Sequence, residues 1–316
     1  MAHGPRGLVS TCDPEDAKNR RSLLGPMFSR RVTVQLKVNQ LISLLKEWFT
    51  SSDSGIQMAM AYRSITTDVI TEYCFAESAN TLTPDFDHPI QRHFPFLNCL
   101  TSKAPQKLVR WLLPGYKSYV LVEMKTQYEC QIDGLLKNPD SLSGTNHETI
   151  YHHLLNPKDQ APLSRKTLVD EAFTLVSAGS ETVGGVCTVG TFYALKNRTI
   201  YRKLLEELCK AWPDKDIPMS YVALEKFPYL TAFIKEALRF SIGVCHPLPR
   251  IVGASTEIGG YRIPSGTVVE MSPVFLHMNP DVFPDPYTFN PDRWESGSTS
   301  EMMLDLAPFS KGPRIW

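Results

Sequence analysis

The longest predicted helix contains a carboxyl side chain between two hydroxyl side chains. The segment is Ala178-Gly179-Ser180-Glu181-Thr182, and Gly184 and Gly185 follow about one turn later. Glycine and serine favour helices poorly, so the pattern predicts a bulge or a widened groove in the helix. A carboxylic acid beside a hydroxyl at such an opening can pass protons inward through water. The alternative is a helix packed closely through its glycines, with Glu181 solvated.

Three charged residues of the second half could form one ionic cluster. Glu236 and Arg239 are three residues apart in a helical pattern, so they can pair on one face. Arg293 follows a proline-rich turn in Phe289-Asn290-Pro291-Asp292-Arg293-Trp294, and its guanidinium could reach a carboxylate as a bidentate fork. The alternatives are an exposed pair, contributing ~0.3–0.5 kcal/mol, and a polar surface loop. We expect Arg293 to lie within hydrogen-bonding reach of Glu236.

The last nine residues form a turn-prone basic segment. They are Pro308-Phe309-Ser310-Lys311-Gly312-Pro313-Arg314-Ile315-Trp316. Gly312 permits a turn that other residues resist, and Arg314 could neutralise a carboxylate of a bound cofactor. A frayed terminus is the alternative interpretation.

The cysteines and histidines give no metal-site pattern. Seven cysteines are scattered without a CxxC pair, which is typical of reduced thiols in an intracellular protein. His147 and His152 are five residues apart, which is ~500° of helix. Their rings would point apart, unlike those of the zinc-protease helix His-Glu-x-x-His.

Composition and charge narrow the possible partners. Hydrophobic residues make up 42% of the 316 residues, and 33 basic residues balance 33 acidic ones. No electrostatic case for nucleic acid follows. No apolar run is long enough to cross a bilayer, and the first residues lack the pattern of a signal peptide. The expected partner is an apolar small molecule or another protein.

Apolar periodicity predicts a mainly helical chain with a small β element. Helices are expected over 36–49, 56–75, 116–136, from the N-cap Ser164 to about 196, and over 202–212 and 227–240. Prolines then argue against long helices after residue 241. Short β pieces are expected over 258–263 and 267–270, with the turn Pro264-Ser265-Gly266 between them.

Taken together and in this order, these motifs resemble the cytochrome P-450 family, from about Asn19 to the last residue. Ala178 to Thr182 matches the oxygen-activating part of the family's central helix, and Glu236 with Arg239 matches its Glu-x-x-Arg pair, which Arg293 joins. Phe309, Gly312 and Arg314 match the start of the haem-binding loop Phe-x-x-Gly-x-Arg-x-Cys. The sequence from Phe275 to Trp294 is especially similar to that of fungal members.

The resemblance implies a P-450-like α-rich fold in a single domain, helical over 1–240 and β/coil over 241–316. It implies a haem-dependent monooxygenase that oxidises an apolar organic substrate, as in fungal secondary metabolism, with electrons from an NAD(P)H-dependent reductase. Glu181 and Thr182 would be catalytic. Arg21, Arg250, Phe309, Gly312 and Arg314 would hold the haem, and Glu236, Arg239 and Arg293 would brace the fold.

One position departs from the family pattern. Trp316 stands where the haem loop should carry the cysteine ligand, and an indole N–H only donates. The thiolate push favours cleavage of the O–O bond, so we expect the chain as given to be impaired. The alternative is a non-catalytic remnant or binding protein. We also expect a chain incomplete at both ends and an intracellular location, without the endoplasmic-reticulum anchor of complete relatives.

Overall fold

The computed structural model describes residue 18 and residues 32–52, 54–86, 116–145, 147–155, 163–214, 217, 219–245, 247–295 and 300–312. The chain divides into two compact units, Met1–Gly184 and Gly185–Trp316, and each is described by itself. The mainly α class with a small β element is confirmed.

The regular elements in the described part of the first unit are all helices. Its elements are α1 (Val32–Ser51), α2 (Met58–Phe75), α3 (Tyr116–Lys137), a 3₁₀ helix (Pro139–Gly144), α4 (Ile150–Leu154) and the first part of α5 (Arg165–Lys196). The apolar stripes in the sequence therefore gave the long helices to within a few residues of their ends. Helix α3 ends at Lys137, just before Asn138 and Pro139, whose types break helices, and a 3₁₀ helix follows.

Two apolar clusters hold the first unit together. In the larger one, aromatic rings from α2, α3 and α4 meet, with Phe75 between Tyr128 and Tyr151 at centroid distances of 5.5 and 5.4 Å. The smaller one joins α1 to α2 through Leu41 and Ile65. The hydrophobic stripe of each helix is thus buried against another helix, as amphipathic helices require.

A buried carboxylate ties the segment after α2 back onto that helix. Asp68 accepts hydrogen bonds from the Thr81 amide at 2.7 Å, the Thr81 hydroxyl at 2.9 Å and the Leu82 amide at 3.2 Å. One turn further along, Thr71 accepts from the Ala79 amide at 2.9 Å. These bonds satisfy polar groups that burial would otherwise leave unpaired.

Helix α5 begins at the predicted cap and runs unbroken. The hydroxyl of Ser164 accepts a hydrogen bond from the Thr167 amide at 3.2 Å, as an N-cap does. The bulge expected near Gly179–Thr182 is wrong, because α5 is a continuous α-helix from Arg165 to Lys196, and the expected widening of its groove stays a prediction. Gly179 permits close packing instead: a Cβ at this position would stand 2.6 Å from Cγ1 of Ile70 in α2.

The second unit contains the rest of α5 and the shorter elements. These are α6 (Arg198–Ala211), α7 (Tyr221–Leu224), α8 (Pro228–Ser241), β1 (Leu248–Ile251), β2 (Thr256–Ile258), β3 (Tyr261–Ile263), β4 (Val268–Met271), α9 (Pro273–His277), a 3₁₀ helix (Pro291–Trp294) and α10 (Ser300–Asp305). Long helices therefore give way to short elements after residue 241, as the prolines in the sequence predicted. Among the described helices, none has the length and apolarity needed to cross a lipid bilayer.

Helix α8 is fixed at its start by a carboxylate from α6. The two oxygens of Glu207 accept hydrogen bonds from the Tyr229 and Leu230 amides, each at 2.8 Å. These amides belong to the first turn, where no intrahelical acceptor exists, and a negative charge there suits the helix dipole. Pro228 stands in the first turn, where a missing N–H costs nothing.

The β element consists of two separate antiparallel pairs. β2 pairs with β3 across Gly259 and Gly260, whose φ angles of 58° and 82° need glycine. β4 pairs with β1 in the register Arg250↔Val269. The predicted single piece over 258–263 is therefore a hairpin. The expected turn at 264–266 joins β3 to β4, which pair with other strands.

The close approach at Gly179 gives the first prediction. Gly179→Ala should destabilise the first unit by ~1–3 kcal/mol, the cost of overpacking a filled contact. Gly185→Ala is the matched control in the same helix: its new Cβ would meet nothing within 4 Å. It should stabilise by up to ~1 kcal/mol. Urea unfolding followed by circular dichroism measures both, and equal stabilisation would refute the contact.

Candidate functional site

The carboxylate of Glu236 is the centre of a buried hydrogen-bond network in the second unit. The side chains of Glu236 and Arg239 are fully buried on α8. Arg239 donates from Nη2 to Oε1 at 2.8 Å and from Nε to Oε2 at 3.0 Å. A two-pronged charged contact of this kind is stronger than a neutral hydrogen bond. The exposed-pair alternative is therefore wrong.

Three further donors reach the same carboxylate from the segment around the 3₁₀ helix. Nε of Arg293 lies 3.2 Å from Oε1, so the predicted contact is present. The Asn290 amide donates to Oε1 at 2.9 Å, and the Trp294 indole donates to Oε2 at 2.8 Å. A buried carboxylate is tolerated only when such donors compensate its lost hydration.

The two guanidinium groups carry the network outward to backbone carbonyls. Arg239 donates from Nη1 to the carbonyls of His277 at 2.7 Å and Pro286 at 2.8 Å. Arg293 donates from Nη1 to the Pro284 carbonyl at 2.8 Å. The proline-rich segment between α9 and the 3₁₀ helix contains turns but no helix or strand, and these contacts help to fix its path.

His277 joins this network to the segment that follows α10. Its ring is fully buried. Nδ1 lies 3.1 Å from the Arg239 carbonyl, and Nε2 accepts the Ala307 amide at 2.9 Å. Desolvation is the main cause that lowers the pKa of His277 to about 4. The neutral ring with its hydrogen on Nδ1 satisfies both contacts.

Arg250 meets the predicted haem loop at its first residues. The Arg250 side chain, on β1, donates to the Ser310 hydroxyl at 3.2 Å and to the Pro249 carbonyl at 2.9 Å. Ser310 and Gly312 have φ angles of 65° and 74°, so the loop turns tightly here. The Phe309 side chain is 52% exposed. Two of the predicted haem-binding segments thus lie together in the second unit.

Glu181 and Thr182 lie on α5 in the first unit. Oε1 of Glu181 stands 3.2 Å from Nε of Arg63 on α2, and within the described residues it has no hydrogen-bond donor. The contact is therefore ionic without good hydrogen-bond geometry. Burial raises the pKa of Glu181, and the Arg63 charge opposes that shift.

The Thr182 hydroxyl and the Ser180 carbonyl of α5 have hydrogen-bond partners, whereas the buried Ser180 hydroxyl has none among the described residues. The Thr182 hydroxyl donates to the Ala178 carbonyl at 2.7 Å, a bond within the helix. Thr66 of α2 donates to the Ser180 carbonyl at 2.7 Å. Thr182 is partly buried.

The remaining predicted residues, Arg21, Arg314 and Trp316, lie outside the described residues. His147 contacts α2, and His152 contacts the residue that precedes its own helix. Nε2 of His147 is 3.0 Å from the Tyr73 carbonyl, and Nδ1 of His152 accepts the Thr149 amide. Within the described ranges, no three His, Cys, Asp or Glu side chains converge as metal ligands.

Comparison with known proteins places this geometry in a family. The family model of cytochrome P450 matches residues 1–315. The chain belongs to the cytochrome P450 family. The buried Glu236–Arg239–Arg293 network and the turn at Phe309–Gly312 are thus parts of a cytochrome P450 fold, at the positions that the sequence motifs indicated.

Several curated fungal proteins are similar to this cytochrome P450. The N-acetyltryptophan 6-hydroxylase of Emericella nidulans is 33% identical over 97% of the chain and 64% of its own length. The tryptophan 6-hydroxylase of Fusarium equiseti is 32% identical over 98% of the chain and 64% of its length. A cytochrome P450 monooxygenase of Ascocoryne sarcoides is 31% identical over 98% and 66%. The chain spans about two thirds of the length of these relatives.

The described residues fit one part of the haem that the family implies. The guanidinium of Arg250, beside the turn at Ser310, suits a propionate. Burial raises the pKa of the Cys74 thiol to about 12 and also raises the pKa of the Cys187 thiol. No cysteine stands in residues 300–316.

Sequence reasoning missed several members of these networks. The motif at 289–294 predicts no role for Trp294. The Asn290 contact uses a backbone amide, which leaves no signal in the side-chain type. His277 lies in the segment from Phe275 to Trp294 that resembles fungal members. Its isolation as a polar residue in an apolar stretch is the available signal. Arg63 could not have been found, because nothing in the spacing of α2 and α5 pairs it with Glu181.

The Glu236 network gives a second prediction. Glu236→Gln removes the charge that two buried or nearly buried arginines share, and should destabilise the chain by ~3–5 kcal/mol. Glu206→Gln is the matched control, since Glu206 forms an exposed pair with Arg202 at 3.7 Å. It should change stability by less than ~0.5 kcal/mol. Urea unfolding measures both, and a mild effect of Glu236→Gln would contradict the network.

The ion pair at Glu181 gives a third prediction. The Arg63 charge lowers the pKa of Glu181 against the effect of burial, so Arg63→Met should raise that pKa further. Carbon-13 NMR titration of the glutamate carboxyls measures the change. Arg202→Met, which alters a distant exposed pair on α6, should leave the Glu181 titration unchanged. A Glu181 pKa that does not move in Arg63→Met would show that the pair does not act in solution.

Proposed function

We propose that this cytochrome P450 is built for a monooxygenase reaction, the insertion of one oxygen atom from O₂ into an apolar organic substrate. The observation that supports it most is the fully buried Glu236–Arg239 pair with Arg293, in a chain that belongs to the family. Bound haem supplies the oxygen chemistry, with electrons from an NAD(P)H-dependent reductase.

In this proposal the chain's own residues bind and orient the haem. Arg21, Arg250 and Arg314 bind the haem propionates, and Phe309 with Gly312 shapes the loop beside them. Glu236, Arg239 and Arg293 brace that side of the fold. The contact of Arg250 with Ser310 supports this arrangement, because it sets a positive charge beside the loop.

Glu181 and Thr182 hold and move protons on α5. A raised pKa makes Glu181 a better proton donor near neutral pH than an ordinary carboxylic acid. Arg63 keeps its charged form accessible as well, so the group can both lose and regain a proton. The Thr182 hydroxyl, which donates to the Ala178 carbonyl, can turn to accept or pass a proton.

The names of the relatives narrow the first substrates to test. Two of them are hydroxylases of N-acetyltryptophan and tryptophan, by their names. We infer a ring-bearing apolar molecule of fungal secondary metabolism, and aromatic amino-acid derivatives are the first candidates. The formal net charge of zero adds no preference for a strongly charged substrate.

Trp316 favours a second function for the chain in its present sequence. Its indole stands at the position of the iron ligand and cannot supply a lone pair for iron. In this proposal the chain binds haem or an apolar molecule without activating oxygen. The residue type at position 316 separates the two functions, and it can be tested when the following segment is held constant.

The fourth prediction separates these functions. The purified chain, mixed with haemin, reduced and exposed to carbon monoxide, should give no thiolate-type absorption band. Trp316→Cys, followed by the segment that succeeds this position in the Emericella nidulans relative, should give the band. Trp316→Ser with the same segment is the control and should not.

Two results would contradict these proposals. A thiolate-type band from the unaltered chain would show that another cysteine serves the iron, and Cys245, which is exposed, is the first to replace. A Trp316→Cys form that binds no haem at all would contradict the proposed haem site. In that form Arg250→Leu should weaken haem binding, which haemin titration measures.

A further inference from the structure

His277 contacts two functional segments at once, although no motif marks it. It is the last residue of α9 and its side chain is fully buried. One ring nitrogen faces the backbone of α8 at Arg239, and the other faces the backbone at Ala307. Ala307 stands two residues before Phe309, where the turn of the haem loop begins.

The bonds between His277 and Arg239 are reciprocal. The Arg239 guanidinium donates to the His277 carbonyl at 2.7 Å, and the His277 ring lies 3.1 Å from the Arg239 carbonyl. A carbonyl accepts only, so Nδ1 carries the hydrogen. The position of the ring is therefore set by the same arginine that holds Glu236.

The fixed hydrogen on Nδ1 leaves Nε2 as an acceptor, and the Ala307 amide uses it. Ala307 is buried, and its carbonyl accepts the Ser310 amide at 3.2 Å to close the turn. Because both backbone groups of Ala307 are engaged, the residue has a defined orientation at the start of the loop. A buried amide without the ring acceptor would be unpaired at this point.

We propose that His277 is a positioning residue, which fixes the start of the haem loop to the Glu236–Arg239 network through the Ala307 amide. Its importance for haem rests on the proposed function, whereas the contact itself does not. Arg250 holds the loop three residues further on, at Ser310. The loop is thus fixed at two points, one neutral and buried and the other charged.

Protonation of the ring would break this arrangement. A second hydrogen on Nε2 would face the hydrogen of the Ala307 amide, so the fixed geometry selects the neutral ring. The charged groups that act on the ring are Arg239 on α8, Asp305 at the end of α10 and Lys311 in the loop. Asp305 favours the protonated ring, while Arg239 and Lys311 oppose it.

The test is amide hydrogen exchange in the 316-residue chain without haem, followed by NMR. His277→Phe keeps a ring of similar size but removes both polar contacts, and it should speed exchange of the Ala307 amide by on the order of 10-fold. His277→Gln can donate and accept in the same directions and should restore slow exchange. His153→Phe, at a partly exposed position on α4, is the control and should change nothing at Ala307.

The pattern over the other amides decides between a local and a general effect. The expected increase is confined to Ala307 and its turn partner Ser310. An equal increase at the buried amides of Ala232 and Ala237 would show general destabilisation and overturn the proposal. A Gln variant that exchanges as fast as the Phe variant would also overturn it, because the hydrogen bond would then not be what matters.

A measurement on the unaltered chain keeps the proposal testable if His277→Phe does not fold. Nitrogen-15 NMR should show Nε2 of His277 without a hydrogen and coupled to the Ala307 amide across the hydrogen bond. A hydrogen on Nε2 at neutral pH would refute the contact. None of these results depends on haem, so failure here is distinct from failure of the proposed haem chemistry.

Discussion

The carboxylate of Glu236 is the group on which the second unit depends. Five hydrogen bonds converge on its two oxygens, from Arg239, Arg293, Trp294 and the Asn290 amide. Burying this charge with fewer donors would cost more free energy. The loss of any one donor would therefore weaken the whole network. The result is that a helix, a 3₁₀ turn and a long proline-rich segment have a single relative arrangement.

The position of the haem loop depends on that arrangement. Arg239 orients His277, and His277 holds Ala307. Arg250 reaches Ser310 from the small sheet. In the proposed function, these contacts position the segment that holds the haem, although none of them touches a substrate. Such contacts tolerate little change, since a loop that is displaced by a fraction of an ångström would set its cofactor ligands at a wrong distance.

The sequence predicted the helices well because their stripes of apolar residues are long and regular. It predicted that Glu236, Arg239 and Arg293 meet, since the pattern of a whole family lies behind those three positions. It failed at Gly179, where poor helix propensity predicts a bulge that α5 does not have. Tertiary packing against Ile70 decided that case, and local propensity has no access to a neighbour more than a hundred residues away. The hairpin at Gly259–Gly260 was missed for a different reason: its strands are only three residues long.

The contact between Gly179 and Ile70 also constrains how this protein can change over generations. With Ile at position 70, a methyl group at 179 collides with Cγ1, Cδ1 and Cβ of that side chain. With a smaller residue at 70, the same methyl group would fill space. The effect of a substitution at 179 therefore depends on which residue occupies 70, and the order of the two substitutions matters. A lineage that exchanges Ile70 first can later accept alanine at 179, while the reverse order passes through a destabilised intermediate.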